Sequence, residues 1–284
     1  MDLACRFSAA AQQEGLRLIA LKGISIAQEL YGGFENRPMA DVDLLVVDTA
    51  RFEAAAQVAR AMGLVESGAS DHALVFKEVG TGVVLELHIA LTSCPGLFRV
   101  EPERLWARRK AVAGTALFRL ADEDLLLHLA LHTAFQHAFA ANSYHYSDFT
   151  LALRRLNPPV DRLDGRAREW GATAALSAMA EAMVRRSSSA PALPAPFDVL
   201  RGSCPKGLAR WIRGRSVFPP EANLIELAKV RSYLAPSPGL FLRKTLFPRA
   251  IPGQEARRVG PGDRLVSLFD AGLMSLLHDR RPSR

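Results

Sequence analysis

The sequence predicts an α+β fold: a small mixed sheet with flanking helices, followed by a mainly helical C-terminal region. Three observations carry this. Runs rich in branched and apolar residues, at 16–21, 41–47, 73–79 and 83–91, have strand character. Stretches with helical spacing and recognisable caps separate the first of them. After Pro102 strand-like runs give way to helical texture.

Taken in order, residues 2–14 read as a short amphipathic helix and LRLIAL, 16–21, as a strand ending at Lys22-Gly23. Residues 24–31 have helical spacing and stop at Gly32-Gly33, a C-cap and turn signal. The loop FENRPMA leads into DVDLLVV, 41–47, a strand by its branched content. Asp48-Thr49 is suited to cap a helix over 50–62, which Gly63 closes. The strands at 73–79 and 83–91, joined by Gly80-Thr81-Gly82, form a hairpin. A helix over 122–140 opens with Asp122, Glu123 and Asp124, where acids suit the positive end of the helix dipole. A helix over 147–156 stops at Asn157-Pro158-Pro159, and 161–187 is helical with a break at Trp170-Gly171. SSSAPALPAP, 187–196, reads as a linker, more helices follow, and a last one is expected over 263–277 before a frayed DRRPSR end. The expected division is 1–115 and 116–284.

With 284 residues, 49% hydrophobic and 23% charged, the chain can bury a core without staples, and global disorder is excluded. No run of 18 apolar residues marks a membrane span. The start, MDLACRFSAAAQQEG, acquires polar and acidic residues too early for a signal peptide. Cys5, Cys94 and Cys204 are odd in number and lack CxxC spacing, which argues against disulfides and structural zinc and fits a cytoplasmic protein. Residues 1–95 hold 7 Lys/Arg against 12 Asp/Glu, whereas 199–284 hold 16 against 6. The bland reading is a basic surface; the sharper one is a C-terminal half that meets an acidic partner, a nucleotide or nucleic acid. Scattered arginines without interleaved aromatics favour the bland one.

The chemistry concentrates on three acids. Asp41 and Asp43 stand two apart in a strand, so their carboxylates share a face. Two carboxylates that close repel unless a cation neutralises them, and hard oxygen ligands suit Mg²⁺. Glu86 lies mid-strand in VLELH, on the face it shares with His88, where an acid is costly without a partner. The competing reading makes Asp41 a turn residue, Asp43 exposed and Glu86 solvent-facing. For a DxD alone that reading usually wins; here Lys22-Gly23, a helix, Arg37, DxD-LLV, a helix, a hairpin and a central Glu occur together.

LKGISIAQELYGGFENRPMADVDLLV, followed by VVLELHIAL, resembles the uncharacterised bacterial nucleotidyltransferase family of the DNA polymerase beta-like superfamily. The resemblance is strong over 16–92 and weaker beyond, where LLLHLALHTAF and LRKTLFP look family-like. It implies a glycine motif at Lys22-Gly23 and Ser25, metal-binding catalytic acids at Asp41, Asp43 and Glu86, and a phosphate-binding Arg37. Lys-Gly replaces the Gly-Ser or Gly-Gly of the wider superfamily. The implied activity is transfer of a nucleoside monophosphate, AMP, from ATP with two Mg²⁺ ions, or Mn²⁺ in their place. The acceptor is a small molecule, a peptide or protein side chain, or an RNA end. The alternative is a non-catalytic nucleotide- or partner-binding module on the same fold.

His88, facing as Glu86 does, is expected to support an active-site acid or orient the acceptor. His137, His145 and Asp148 lie close in sequence, with His145 and Asp148 candidates for the acceptor side of a cleft. His128 and His132, four apart, mimic a zinc pair, but with no HExxH glutamate and no third ligand they read as neutral core histidines, each satisfied by a neighbour. Trp106, Trp170 and Trp211 read as core or interface anchors.

Overall fold

The computed structural model describes residues 2–140, 143–186, 195–215 and 222–246. Among them a seven-stranded mixed sheet has the order β3-β4-β5-β2-β1-β7-β6. Its strands are β1 (Leu18–Ala20), β2 (Asp41–Val46), β3 (Leu64–Ala69), β4 (Ala73–Glu78), β5 (Val84–His88), β6 (Lys110–Ala111) and β7 (Phe118–Arg119). β2 runs parallel to β5 and β1 parallel to β7, while the other neighbours are antiparallel. The fold is therefore α+β, as the sequence predicts.

Strand alternation splits the core into two layers. On one face Leu18, Ala20, Leu44, Val46, Leu85 and Leu87 pack under α1 (Asp2–Gln13) and α3 (Phe52–Ala61). On the other, Ile19, Leu21, Leu45 and Val47 meet the helices that follow the sheet. These include α5 (Asp122–Leu131), α6 (Ser143–Leu156), α7 (Val160–Trp170) and α8 (Thr173–Arg186). With Leu85 and Leu87 committed to the first face, Glu86 and His88 must point to the second. The same parity sends Asp41 and Asp43 there, because Val42 and Leu44 belong to the first layer.

Between these elements lie α2 (Lys22–Tyr31) and α4 (Pro102–Arg108), and the described chain ends with α9 (Lys206–Arg213), α10 (Leu224–Leu234) and α11 (Pro238–Leu246). α2 stops where expected, with Gly32 left-handed at φ 77° and its N–H returning to Ala27. Asp48 caps a 3-10 turn, Thr49–Arg51, its side chain accepting from the Ala50 N–H, and not the helix expected from residue 50: α3 starts at Phe52 with no side-chain cap. Trp170 is buried in the core, whereas Trp106 packs edge-on against Phe118 with the Arg109 guanidinium over its ring.

The structure departs from the sequence reading in several places. β3 was not expected, nor were the two-residue strands β6 and β7, so the sheet extends past residue 115. α2 begins at Lys22 rather than Ile24, and α6 begins at Ser143 rather than Ser147. The helix expected over 122–140 changes character at His132. His132–Gln136 is a π-helical turn, and Ala138 and Phe139 then adopt positive φ, 47° and 65°, which reverses the chain. Most of the expected linker and the whole helix over 263–277 lie outside the described residues. No described helix is long and apolar enough to cross a membrane.

Candidate active site

The acid cluster is built by one register. In the parallel β2–β5 pair Asp43 lies directly beside Glu86, and Asp41 beside Val84. Asp43 is 2% exposed, so the reading that left it on the surface does not hold. Two groups face its carboxylate. The Lys22 ammonium donates to Oδ1 at 2.5 Å and stands 3.8 Å from Glu86 Oε2. His88 Nε2 lies 2.9 Å from the same Asp43 oxygen and 3.3 Å from Glu86 Oε2. One atom each from Asp43, Glu86 and His88 falls within a 4.8 Å circle.

The electrostatics follow from this packing. Burial would raise the Asp43 pKa, but the Lys22 charge and the His88 hydrogen bond outweigh it and hold the carboxyl well below its usual range. Burial would lower Lys22 and His88; their acidic partners outweigh it, and both rise. Asp41, at the more open end, is raised by burial and by the neighbouring Asp43 charge.

Lys22 reaches this position from the first residue of α2, at φ 46°, a left-handed conformation rare for a residue with a side chain. Gly23 follows, its N–H in the first helical turn, where backbone donors lack intrahelical partners and favour an anion. A Cβ on Gly23 would sit 2.2 Å from Arg37 Nη1, so the glycine is needed for the arginine's approach. Ser25 does not face the cleft: it is buried, and its hydroxyl donates to the Lys22 carbonyl at 2.7 Å, fastening the turn.

Arg37 makes its bidentate contact with a carboxylate of the protein. Its Nε and Nη2 donate to Asp148 Oδ1 and Oδ2 at 3.0 and 2.7 Å, and the Tyr31 hydroxyl donates to the same Oδ1. Burial would lower Arg37, but the Asp148 pairing raises it. Asp148 therefore holds the arginine at the cleft mouth, with Tyr144 beside the guanidinium.

A cleft of about 860 Å³ lies between the acids and the helices. Lys22, Gly23, Arg37, Asp41, Asp43 and Glu86 line one wall. His132, His137, His145, Asp148 and Gln136 line the other. The structure thus brings all the expected site residues to this cleft except Ser25 and His88, which lie behind its surface. Sequence reasoning missed His72, whose Nε2 lies 3.0 Å from Gln136 Nε2 and whose Nδ1 meets Asp71 at 2.9 Å. Its place just before β4 was the available signal.

The helical wall corrects one expectation. Among the described residues neither ring nitrogen of His128 has a partner, and His132 Nδ1 has none while its Nε2 meets His137, so these histidines are not fully satisfied by neighbours. The π-helical turn and the reversal at Ala138-Phe139 bring His137 and His145 up to His132, supplying the further ligand atoms that linear spacing concealed. Burial pushes His128 down to about 3, His137 to about 4 and His132 well below its usual value, which leaves neutral rings.

A mixed sheet that gathers acids from adjacent strands beside a helix start equips an enzyme to handle phosphate esters, and the chain is a nucleotidyltransferase. Residues 6–185 match the family described as uncharacterised nucleotidyltransferase, and the chain belongs to that family. Among proteins of curated function none matches its sequence. Two solved structures are similar. One is the solution structure of the antibiotic-resistance factor ANT(2'')-Ia, with 18% identity, TM-score 0.44, covering 59% of this chain and 91% of that one. The other is a crystal structure of ANT(2'')-Ia in complex with adenylyl-2''-tobramycin, with 17% identity, TM-score 0.44, covering 59% and 97%.

Proposed function

We propose that the chain transfers AMP from ATP to an acceptor in the cleft, with release of pyrophosphate, and that Asp41, Asp43 and Glu86 hold the Mg²⁺ this requires. The observation that carries this reading is the Asp43–Glu86 pairing on parallel strands, with Asp41 on the same face. The donor set, Asp41, Asp43 and Glu86, fits a hard divalent cation because it is all carboxylate oxygen on one face of adjacent strands. Bound there, Mg²⁺, or Mn²⁺ in its place, would neutralise phosphate charge and lower the pKa of an acceptor hydroxyl.

The protein's own groups do the rest. Asp43 stays ionised because Lys22 and His88 hold it so. The Gly23 N–H and the Lys22 ammonium bind phosphate oxygens where negative charge grows. Arg37, released from Asp148, offers a planar fork to the triphosphate. Asp148 and His145, on the opposite wall, orient the acceptor, and His88 keeps Glu86 in place. In this reading 1–115 supplies the acids and 116–284 the facing wall. The chain works in the bacterial cytoplasm, in keeping with Cys5, Cys94 and Cys204, which form no disulfide with one another.

One observation favours a second reading, a nucleotide- or partner-binding module without turnover: Lys22 already neutralises the acids. Calorimetry with each ribonucleoside triphosphate, with and without Mg²⁺, tests the site. The proposal expects Mg²⁺-dependent ATP binding that Asp41→Ala/Asp43→Ala abolishes; no binding of any nucleotide would overturn it. Pyrophosphate release on adding candidate acceptors separates enzyme from module.

A further inference from the structure

We propose that His132, His137 and His145 form a second metal site on the helical wall of the cleft, for a transition-metal ion of the Zn²⁺ class. Each offers one ring nitrogen, and the three lie within 4.8 Å of one another. The Nε2 atoms of His132 and His137 are 3.3 Å apart. An ion bound tetrahedrally at about 2.0–2.1 Å from each imidazole sets its ligand nitrogens roughly 3.3–3.4 Å apart, so this pair already has the required separation. The rings form one cluster: His132 and His145 stack with centroids 5.0 Å apart, and His137 stands edge-on to His132 at 4.6 Å.

The donor chemistry separates this site from the acids across the cleft. Three imidazoles without a carboxylate select Zn²⁺, Co²⁺, Ni²⁺ or Cu²⁺ over Mg²⁺.

Hydrogen bonding alone gives a poorer account of the cluster. A His132–His137 N–H···N bond satisfies one nitrogen on each ring. It leaves His132 Nδ1, and both nitrogens of the adjacent His128, without partners among the described residues. The backbone shows a matching investment. The π-helical turn is a device common at functional sites. Two consecutive non-glycine residues, Ala138 and Phe139, are held at positive φ. The reversal is fastened by Phe139 N–H to the Thr133 carbonyl at 2.9 Å and Tyr146 hydroxyl to the Phe139 carbonyl at 2.7 Å.

Three protein ligands leave a fourth position, and His137 and His145 are only half-buried on the cleft side. Zinc held by three residues with one open place takes a water or a substrate oxygen there. The site would thus receive an oxygen donor of whatever occupies the cleft. This inference does not depend on nucleotidyl transfer, because its readout is metal binding alone.

The chain, purified without a histidine tag and stripped of metal, is titrated with Co²⁺ in excess Mg²⁺, following the visible bands of four-coordinate Co²⁺. Zn²⁺ is then used to displace it. One tightly bound ion per chain is expected. His137→Ala and His145→Ala should each weaken binding by more than about 100-fold, since losing even an outer-sphere partner costs about 10–100-fold. Asp43→Asn should leave it in place. His145→Gln, checked for native circular dichroism, guards against a folding artefact. Absence of the bands, equal affinity in the histidine variants, or loss in Asp43→Asn would each overturn the proposal, leaving an imidazole hydrogen-bonded pair or binding at the acids.

Discussion

On the sheet wall of the cleft, Asp43 is buried with a lysine and a histidine against its carboxylate, whereas on the helical side His128 is fully buried and His132 nearly so, with nitrogen atoms that meet no partner among the described residues. The contrast reflects what each group can do when deprived of water. A carboxylate in a low-dielectric setting is tolerated as an ion only with compensating charge, so the sequence surrounds it with donors. An imidazole has another route: it stays neutral, and an unmet nitrogen then costs about 1–3 kcal/mol rather than the desolvation of a full charge. The charges of the first wall are fixed by pairing, although His88 Nδ1 behind it is unmet among the described residues, and the second keeps several unmet imidazole nitrogens beside a cleft.

Removing a buried charge should therefore do more damage than removing a buried imidazole. Asp43→Ala is expected to lower nucleotidyl transfer by about 100–1000-fold, the scale of losing one preorganised electrostatic contact, read as pyrophosphate release. A rate within tenfold of wild type would end the account of the sheet wall. Next in size is Asp124, fully buried on α5 and paired with Arg108 at 3.0 Å and Arg166 at 2.5 Å. Asp124→Ala should cost about 3 kcal/mol in urea unfolding, because two guanidiniums lose a fully buried counter-charge and keep only Glu169.

His128→Leu tests the other side of the contrast. The folded pKa of His128 is about 3 against 6.5 for an unburied ring. Its folded value is depressed, so the unfolded chain binds the extra proton; stability is full above 6.5 and declines as pH falls from 6.5 toward about 3. Compared with its value at neutral pH, the wild type should lose about 2 kcal/mol more than His128→Leu by about pH 5. Parallel pH profiles for the two would mean that His128 is not buried neutral. The smallest effect is expected from Gly23→Ala, whose Cβ would fall 2.2 Å from Arg37 Nη1 and displace the guanidinium. The nucleotide KM should rise about tenfold with kcat less affected, consistent with a contact that binds rather than reacts.

The elements that place the acids were legible because period-two alternation in DVDLLVV and VVLELHIAL marks both strand and face. Their mutual register was not, since nothing local states that Asp43 will stand beside Glu86 on a parallel neighbour. β3 escaped notice because LVESGA carries one large buried residue, Leu64, and a register shift between Glu66 and Gly68. β6 and β7 are two residues each, too short to show any period. The π-helical turn escaped for a different reason: LLLHLALHTAF keeps helical spacing up to the point where the backbone widens. The Arg37–Asp148 pair joins residues 111 apart, and only the packing of α2 against α6 creates it. The histidines were visible one by one, but their convergence depends on two positive-φ residues that carry no glycine signature.

The docking of β7 against β1 has a consequence for how the chain is made. β1 is complete by Ala20, yet its parallel neighbour arrives only at Phe118–Arg119. At synthesis rates of about 5–20 residues per second, roughly 5–20 s separate the two on the ribosome. Through that interval the outer edge of β1 presents unpaired backbone donors and acceptors, the kind of edge on which other strands can add. β1 has only three residues. A longer first strand would expose a longer template for the same wait, so its brevity limits the hazard during translation.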